Sequence, residues 1–140
     1  MDILEARSNA YIMLKTAKIL IVVGCSHTEG KPSHDVPKYL MENNYKIIPV
    51  NPNAISIFGE RSYKSIETVD VPADLVLVFR PSKEALDIVK SAYKIGIKMV
   101  WLQEGIFSEE AEHFAKDHNM LFVMNKCMMK EHYKMLFSNQ

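Results

Sequence analysis

The sequence predicts an α/β fold: a doubly wound, mainly parallel sheet of five or six strands with helices on both faces. Two observations predict it. Short apolar runs, the first at Ile19 to Val23, alternate with longer segments of helical periodicity, which is typical of parallel sheets covered on both faces. The first run stops at Gly24, and a helix-start signal follows at Pro37, as in the first βα unit of a nucleotide-binding sheet.

Runs of aliphatic and β-branched residues predict strands at residues 18–23, 46–50, 74–79, 98–102 and 120–123. Helices are predicted around them at residues 2–16, 33–44, 82–96, 108–119 and 128–137. Residues 54–72 form an irregular crossing in this interpretation, with a short strand near Ser62. Leu4, Tyr11 and Leu14 lie on one side of the first helix, which we expect to pack on the rest of the domain.

Proline and serine residues predict where three of the helices begin. Proline is tolerated in a first helical turn, so Pro37 predicts a start near Ser33 to Asp35, one of which is then the N-cap. Ser82 and Ser108 are the expected N-caps of the next two helices. Right-handed crossovers between the strands then place ligand-binding groups at the carboxyl ends of the strands.

Length and composition predict one domain over residues 1–140, in which 48% of the residues are hydrophobic and 24% are charged. The 17 basic and 17 acidic residues cancel, and no basic cluster indicates a nucleic acid partner. No apolar run approaches the roughly 20 residues that would span a membrane. Cys25 and Cys127 are too few for a disulfide framework, so a cytoplasmic location is expected.

The loop from Cys25 to Ser33 joins a strand end to a helix N-terminus. Free N–H groups and the positive end of the helix dipole favour an anion at such a place. The loop therefore predicts a phosphate-bearing ligand over these residues. An ordinary tight βα turn is the alternative that the same pattern allows.

Three common phosphate or nucleotide motifs do not fit the chain. Gly24 and Gly30 lack the spacing of G-x-G-x-x-G, and Pro32 follows Lys31 where a Walker loop needs Ser or Thr. The second predicted strand ends at Asn51, where an NAD site needs Asp or Glu for the ribose hydroxyls. The sequence therefore disfavours NAD and a Walker-type nucleotide site.

Further strand ends carry polar groups. Arg80 follows the strand at residues 74–79, where its guanidinium would meet a phosphate or a carbonyl, or would pair with an acidic neighbour such as Glu104. Gln103 and Gly105 follow the strand at residues 98–102, where they would admit a ligand to the backbone or form a simple turn. Trp101 lies within that strand and is expected in the core.

Seven stretches carry a further signal, and they cover roughly residues 12–133: Val23 to Ser26, Lys31 to Ser33, Tyr45 to Pro52, Gly59-Glu60 with Tyr63 to Ile66, Val78 to Arg80, Val100 to Gly105, and Val123 to Cys127 with Glu131-His132. In this order they resemble the small stand-alone CoA-binding domain proteins. These are similar to the N-terminal CoA-binding domain of the succinyl-CoA ligase alpha subunit. The resemblance implies a Rossmann-like fold and coenzyme A, or an acyl-CoA, as the ligand.

The resemblance also implies a ligand role for residues at four strand ends: Gly24, Cys25, Ser26, Lys31, Pro32 and Ser33 at the pyrophosphate; Asn51 and Pro52 beside the adenosine; Phe79 and Arg80 along the channel; Gln103 and Gly105 at the pantetheine. The ligand is then a small molecule that carries CoA chemistry. The sequence leaves the identity of a protein partner open.

No catalytic residue and no metal site are predicted. Cys127 and His132 are interpreted as a buried thiol and a core histidine, not as a nucleophile pair. Cys25 lies beside a helix N-terminus that would favour its thiolate, so a mixed disulfide with CoA is a minor alternative. Two functions stay open: non-catalytic binding of CoA or an acyl-CoA, as a sensor or accessory subunit, and a small NAD(P)-linked oxidoreductase or acyl-CoA-handling enzyme. The missing acidic residue at Asn51 favours the first.

Overall fold

The computed structural model describes residues 2–138, in which helices and short strands alternate. The helices are α1 (Ile3–Thr16), α2 (Pro32–Glu42), α3 (Ala85–Lys94), α4 (Glu109–Asp117) and α5 (Met128–Ser138). The strands are β1 (Ile19–Val23), β2 (Lys46–Val50), β3 (Ser56–Ile57), β4 (Glu60–Arg61), β5 (Leu75–Val78), β6 (Met99–Leu102) and β7 (Leu121–Val123). Two 3₁₀ turns lie at Ile66–Thr68 and Ser82–Glu84.

Five strands form one parallel sheet in the order β2-β1-β5-β6-β7, which confirms the predicted fold class. Strands β3 and β4 pair separately as an antiparallel hairpin. The strand expected near Ser62 is reduced to one bridge between Tyr63 and Val50. Because β1 has β2 on one side and β5 on the other, the carboxyl ends of these three strands border the crevice at which the winding reverses.

Apolar residues cover both faces of the sheet, as predicted. One face packs on α3 and α4 through residues such as Val76, Val89 and Ala111. The other face packs on α1, α2 and α5 around Trp101, which is fully buried as expected. The indole N–H of Trp101 donates to the Lys126 carbonyl at 2.8 Å, so this large ring is buried without an unpaired donor.

Helix α1 buries a different stripe from the one expected. Ala10, Met13 and Leu14 face the core, whereas Leu4 is 76% exposed and Tyr11 is 46% exposed. Leu14 shares the i, i+3, i+4 stripe of Ala10 and Met13, and the other two expected residues lie on a neighbouring side of the helix. None of the helices in residues 2–138 has the length and apolar character needed to cross a membrane.

Helix α2 begins earlier than expected. Its N-cap is Lys31, not Ser33 or Asp35, and Pro32 takes the first helical position, which suits proline best. Pro37 lies inside the helix. The prediction was wrong because it took Pro37 as the first-turn proline, although Pro32 already fulfils that role.

Ser82 does not cap helix α3. It begins a 3₁₀ turn, and its hydroxyl oxygen accepts a hydrogen bond from the Phe107 N–H at 3.1 Å. Ser108 caps α4 as predicted, because its hydroxyl oxygen accepts from the Ala111 N–H at 3.1 Å. The Ser82 hydroxyl therefore ties the start of α3 to the loop that precedes α4.

Gly24 lies just after β1, where three strand ends meet. Its N–H donates to the Val50 carbonyl at 2.9 Å, and its φ of +84° lies in the left-handed region that favours glycine. A Cβ atom here would lie 3.0 Å from the Phe79 carbonyl oxygen and 3.1 Å from Arg80 Cδ. The missing side chain lets the segment after β5 pass close to the end of β1.

We expect Gly24→Ala to lower the free energy of unfolding by about 2–5 kcal/mol, because left-handed strain of about 1–2 kcal/mol adds to crowding of about 1–3 kcal/mol. Gly96→Ala is the matched control. Gly96 has a φ of +87° but open space around its Cβ position, so only the strain of about 1–2 kcal/mol applies. Urea unfolding measures both losses. Equal losses would contradict the close approach at Gly24.

Candidate functional site

A groove of about 670 Å³ opens at the carboxyl ends of β1, β2 and β5, beside the first turn of α2 and one side of α3. Eight of the predicted ligand residues line it: Gly24, Ser26, Lys31, Ser33, Asn51, Pro52, Phe79 and Arg80. Four others are not part of its lining: Cys25, Pro32, Gln103 and Gly105. The structure thus brings together the residues that follow β1, β2 and β5, and leaves apart those that follow β6.

Hydrogen bonds hold the loop between β1 and α2 from two sides. The Cys25 carbonyl accepts from Nδ2 of Asn51 at 2.9 Å, which ties the loop to the end of β2. The Ser26 carbonyl lies 2.8 Å from Nδ1 of His34, which ties the loop to the first turn of α2. The loop over the predicted phosphate position therefore has a fixed course.

Asn51 borders the groove, but its amide already has partners within the fold. Its Nδ2 donates to the Cys25 carbonyl at 2.9 Å, and its Oδ1 accepts from the Asn53 N–H at 2.9 Å. Asn51 therefore shapes the groove, and it provides no charged acceptor for the hydroxyls of a ribose.

Lys31 and Lys64 are the two lysines of the groove. Within residues 2–138, neither of them forms an ion pair. Lys31 is the N-cap of α2, and Lys64 lies between β4 and the first 3₁₀ turn. Both ammonium groups are therefore available to an anionic ligand.

Arg80 lines the groove with its charge already paired. Its guanidinium donates to both carboxylate oxygens of Glu84, at 3.2 and 2.9 Å, and not to Glu104, the partner considered from the sequence. This hydrogen bonding raises the pKa of Arg80 and lowers the pKa of Glu84, so both groups are charged at neutral pH. Glu104 instead accepts from Lys130 Nζ at 3.1 Å.

Three carboxylates also line the groove: Glu67, Glu84 and Asp87. A hydrogen bond from the Ser91 hydroxyl is the main cause that lowers the pKa of Glu67, which keeps this carboxylate ionised at neutral pH. The groove is therefore not uniformly positive. An anionic ligand finds its charge partners at the two unpaired lysines.

Gln103 and Gly105 form hydrogen bonds to residues outside the groove. Gln103 is 4% exposed, and its Oε1 accepts from the Met128 N–H at 3.2 Å, at the start of α5. The Gly105 N–H donates to Oδ1 of Asn125 at 2.8 Å. Both residues stabilise the β6–β7 side of the sheet, and their expected role at the pantetheine stays a prediction.

The two cysteines are buried thiols. Cys25 is fully buried, and this burial raises its pKa to about 12, so the thiolate expected beside a helix N-terminus is strongly disfavoured. Cys127 is 5% exposed, and Nδ1 of His132 lies 2.9 Å from the Tyr39 hydroxyl, which makes His132 a core histidine. No group of three His, Cys, Asp or Glu residues in the described chain could hold a metal ion.

Lys64, Glu67 and Ser91 line the groove but were not predicted. They come from the irregular crossing after β2 and from the middle of α3, and only the tertiary fold brings these segments together. Lys64 lies in one of the stretches that carry the family resemblance, so that stretch was the available signal.

A protein-family model described as CoA binding domain matches residues 18–133. The chain belongs to this family. The matched region contains every residue that lines the groove and extends into α5. Membership confirms the resemblance that the seven stretches indicated.

Relatives of the CoA binding domain family occur in small proteins and in large ones. The uncharacterized protein YneT of Bacillus subtilis is 31% identical over 120 residues, which are 86% of this chain and 89% of that protein. The ADP-forming acetate–CoA ligase of Methanocaldococcus jannaschii is 29% identical over 119 residues, which are 79% of this chain but 17% of the ligase. The same domain is thus nearly a whole protein in one case and a small part of an enzyme in the other.

Solved structures share the fold. A hypothetical protein from Pyrococcus horikoshii OT3 has a TM-score of 0.87 and 31% identity, and the match covers 93% of this chain and 92% of that one. A protein from Thermus thermophilus has a TM-score of 0.84 and 32% identity, with 91% and 97% covered. An acetyl-coenzyme A synthetase of Ca. Korarchaeum cryptofilum, at 24% identity and a TM-score of 0.68, shares the fold over 77% of this chain and 26% of its own.

We expect Cys25 to resist iodoacetamide in the folded protein at pH 8, because a thiol with a pKa near 12 contains almost no thiolate there. Cys127, also buried, is expected to react slowly as well. Mass spectrometry after timed alkylation measures both, and the urea-unfolded protein, in which both thiols react, is the control. Rapid labelling of Cys25 in the folded protein would contradict the burial argument.

Proposed function

We propose that this chain binds coenzyme A or an acyl-CoA in the groove and catalyses no reaction on it, as a sensor or an accessory subunit. Membership of the CoA binding domain family supports the choice of ligand class. The single observation that carries the proposal is the pair of lysines without ion-pair partners, Lys31 and Lys64, in a groove at the strand ends.

CoA chemistry matches two separate cationic positions. CoA carries a pyrophosphate and, on the ribose, a separate 3′-phosphate, whereas NAD and FAD carry only the pyrophosphate. Lys31 adjoins the loop and the N-terminus of α2, which suits the pyrophosphate. Lys64 suits the second phosphate, because it lines the same groove as Asn51 and Pro52, which are expected beside the adenosine. NAD or FAD would leave one of these lysines without a phosphate.

The groups after β2 argue against NAD. An NAD site uses a carboxylate there to accept from the ribose hydroxyls. In this chain Asn51 holds that position, and both ends of its amide are bound to Cys25 and Asn53. This arrangement supports CoA over NAD.

The buried thiols support a binding role without turnover. Raising the pKa of Cys25 to about 12 removes it as a nucleophile, and His132 is paired with Tyr39. The region related to this chain is 17% of an ADP-forming acetate–CoA ligase, so most of that enzyme lies outside the related region. This supports a role in which the chain presents CoA to a partner protein or reports its concentration.

We expect CoA to bind most tightly, dephospho-CoA about tenfold to a hundredfold more weakly, and NAD and FAD more weakly still. The first step corresponds to the loss of one charge-assisted contact, which is worth about 1.5–3 kcal/mol. Isothermal titration calorimetry at one fixed salt concentration measures the series. Saturable NAD binding without a response to CoA would contradict the proposal.

We expect Lys31→Ala to weaken CoA binding by about tenfold to a hundredfold, because it removes one charge-assisted contact to a phosphate. The variant should stay folded, since the Lys31 side chain is exposed. Lys38→Ala is the matched control: Lys38 is an exposed lysine of the same helix that does not line the groove. Calorimetry and circular dichroism measure affinity and folding. Equal CoA affinities for the two variants would contradict the phosphate role of Lys31.

A further inference from the structure

His34 lies where the loop, helix α2 and the β3–β4 hairpin meet. Its side chain is buried, with 8% of the residue exposed, and its Nδ1 lies 2.8 Å from the Ser26 carbonyl oxygen. A carbonyl oxygen only accepts hydrogen bonds, so Nδ1 carries the proton and donates it. This contact fixes both the tautomer of the ring and the direction of the Ser26 carbonyl.

The direction of the Ser26 carbonyl sets the direction of the next N–H. The Ser26 carbonyl and the His27 N–H belong to one trans peptide unit, in which C=O and N–H point opposite ways. Holding the carbonyl toward His34 therefore turns the His27 N–H away from that ring. No residue in the described part of the chain accepts a hydrogen bond from the His27 N–H.

Pro37 fixes the preceding peptide unit in the same way. In a regular helix the Ser33 carbonyl accepts from the N–H four residues later, but Pro37 has no N–H. The Ser33 carbonyl instead accepts from the Ser26 N–H at 3.0 Å. The first turn of α2 therefore sets the orientation of two successive peptide units in the loop.

Phe58 supports the His34 ring from the hairpin. The two ring centroids lie 4.8 Å apart with the planes tilted by 36°. Phe58 has a φ of +58° and Gly59 a φ of +74°, the left-handed pair of a type I′ turn. Asn or Gly suits the first of these positions better than Phe, because a bulky side chain in the left-handed region lowers the stability of the turn. Phe58 is strained in this turn, and its ring contacts His34 from there.

We infer that His34 is a positioning residue: it fixes the Ser26–His27 peptide unit beside the groove, which Ser26 lines, so that the His27 N–H can donate to a phosphate of the ligand. Phe58 holds the imidazole in place for this. The inference rests on the proposed binding of CoA. It gives the β3–β4 hairpin a part in affinity, because the hairpin acts on the loop through the His34 ring. A loop that is ordered in advance loses less entropy when the phosphate binds.

The test compares His34→Ala with His34→Asn, since the Asn amide nitrogen can replace Nδ1 as a donor and Ala cannot. CoA affinity is measured by calorimetry, and the His27 amide shift is followed by ¹H–¹⁵N spectra during titration with CoA and, separately, with inorganic pyrophosphate. We expect His34→Ala to weaken CoA binding about tenfold and to abolish the His27 response. We expect His34→Asn to restore both to within about threefold of the parent.

Phe58→Leu is the second variant, which keeps apolar volume but loses the ring contact. It should stay folded and bind CoA several-fold more weakly, with a smaller His27 response. If His34→Ala does not fold, His34→Asn and Phe58→Leu are compared with the parent instead. A Phe58→Leu protein with the parental CoA affinity and the parental His27 amide shift overturns the inference.

The other outcomes separate this inference from the proposed function. A folded His34→Ala protein with parental CoA affinity and an unchanged His27 response overturns the positioning role alone, as does a His34→Asn protein as weak as His34→Ala. A parent protein that does not bind CoA but shows the His27 response to pyrophosphate overturns the CoA proposal and supports the positioning role. A parent without either response overturns both.

Discussion

The close passage of the chain over Gly24 is the constraint on which the groove depends. The N–H of Gly24 is bound to the end of β2 through Val50, and the Phe79 carbonyl fills the space where a side chain would be. Three strand ends can therefore meet within contact distance. The loop toward α2 starts from this fixed point, so the positions of Ser26 and Lys31 follow from it.

Beyond that point, the loop is ordered by the fold itself. The Asn51 side chain donates a hydrogen bond to the Cys25 carbonyl, and the His34 ring donates to the Ser26 carbonyl. The Ser26 N–H donates to the Ser33 carbonyl. In such a site, several polar groups form hydrogen bonds within the protein, so fewer remain to contact a ligand. Because the loop is already ordered, it loses less conformational entropy when the ligand binds. The exposed lysines then supply charge to a backbone that is already in place.

The strands and the order of elements could be predicted because each buried strand is a continuous apolar run, and such runs are local signals. The helix starts were less predictable. Pro37 was a misleading signal. A proline inside a helix is tolerated where another donor, here the Ser26 N–H, bonds to the carbonyl that the missing proline N–H would leave unpaired, which is that of Ser33. The groove was predicted where it follows strand ends, at Gly24, Asn51 and Phe79. Lys64, Glu67 and Ser91 were not predictable, because their proximity depends on how the crossing after β2 packs against α3.

The all-parallel pairing of the sheet also bears on how the chain is made. In the central pair of strands, Leu20 lies opposite Leu75, which is 75 − 20 = 55 residues later in the chain. At a synthesis rate of about 5–20 residues per second, β1 therefore waits about 3–11 s for β5 to be made. During that interval, the edge of β1 that will pair with β5 has no strand neighbour. The aliphatic side chains of β1 can then pack only on α1, α2 and β2. Until β5 is made, the unpaired edge of β1 is therefore open to pairing with another strand.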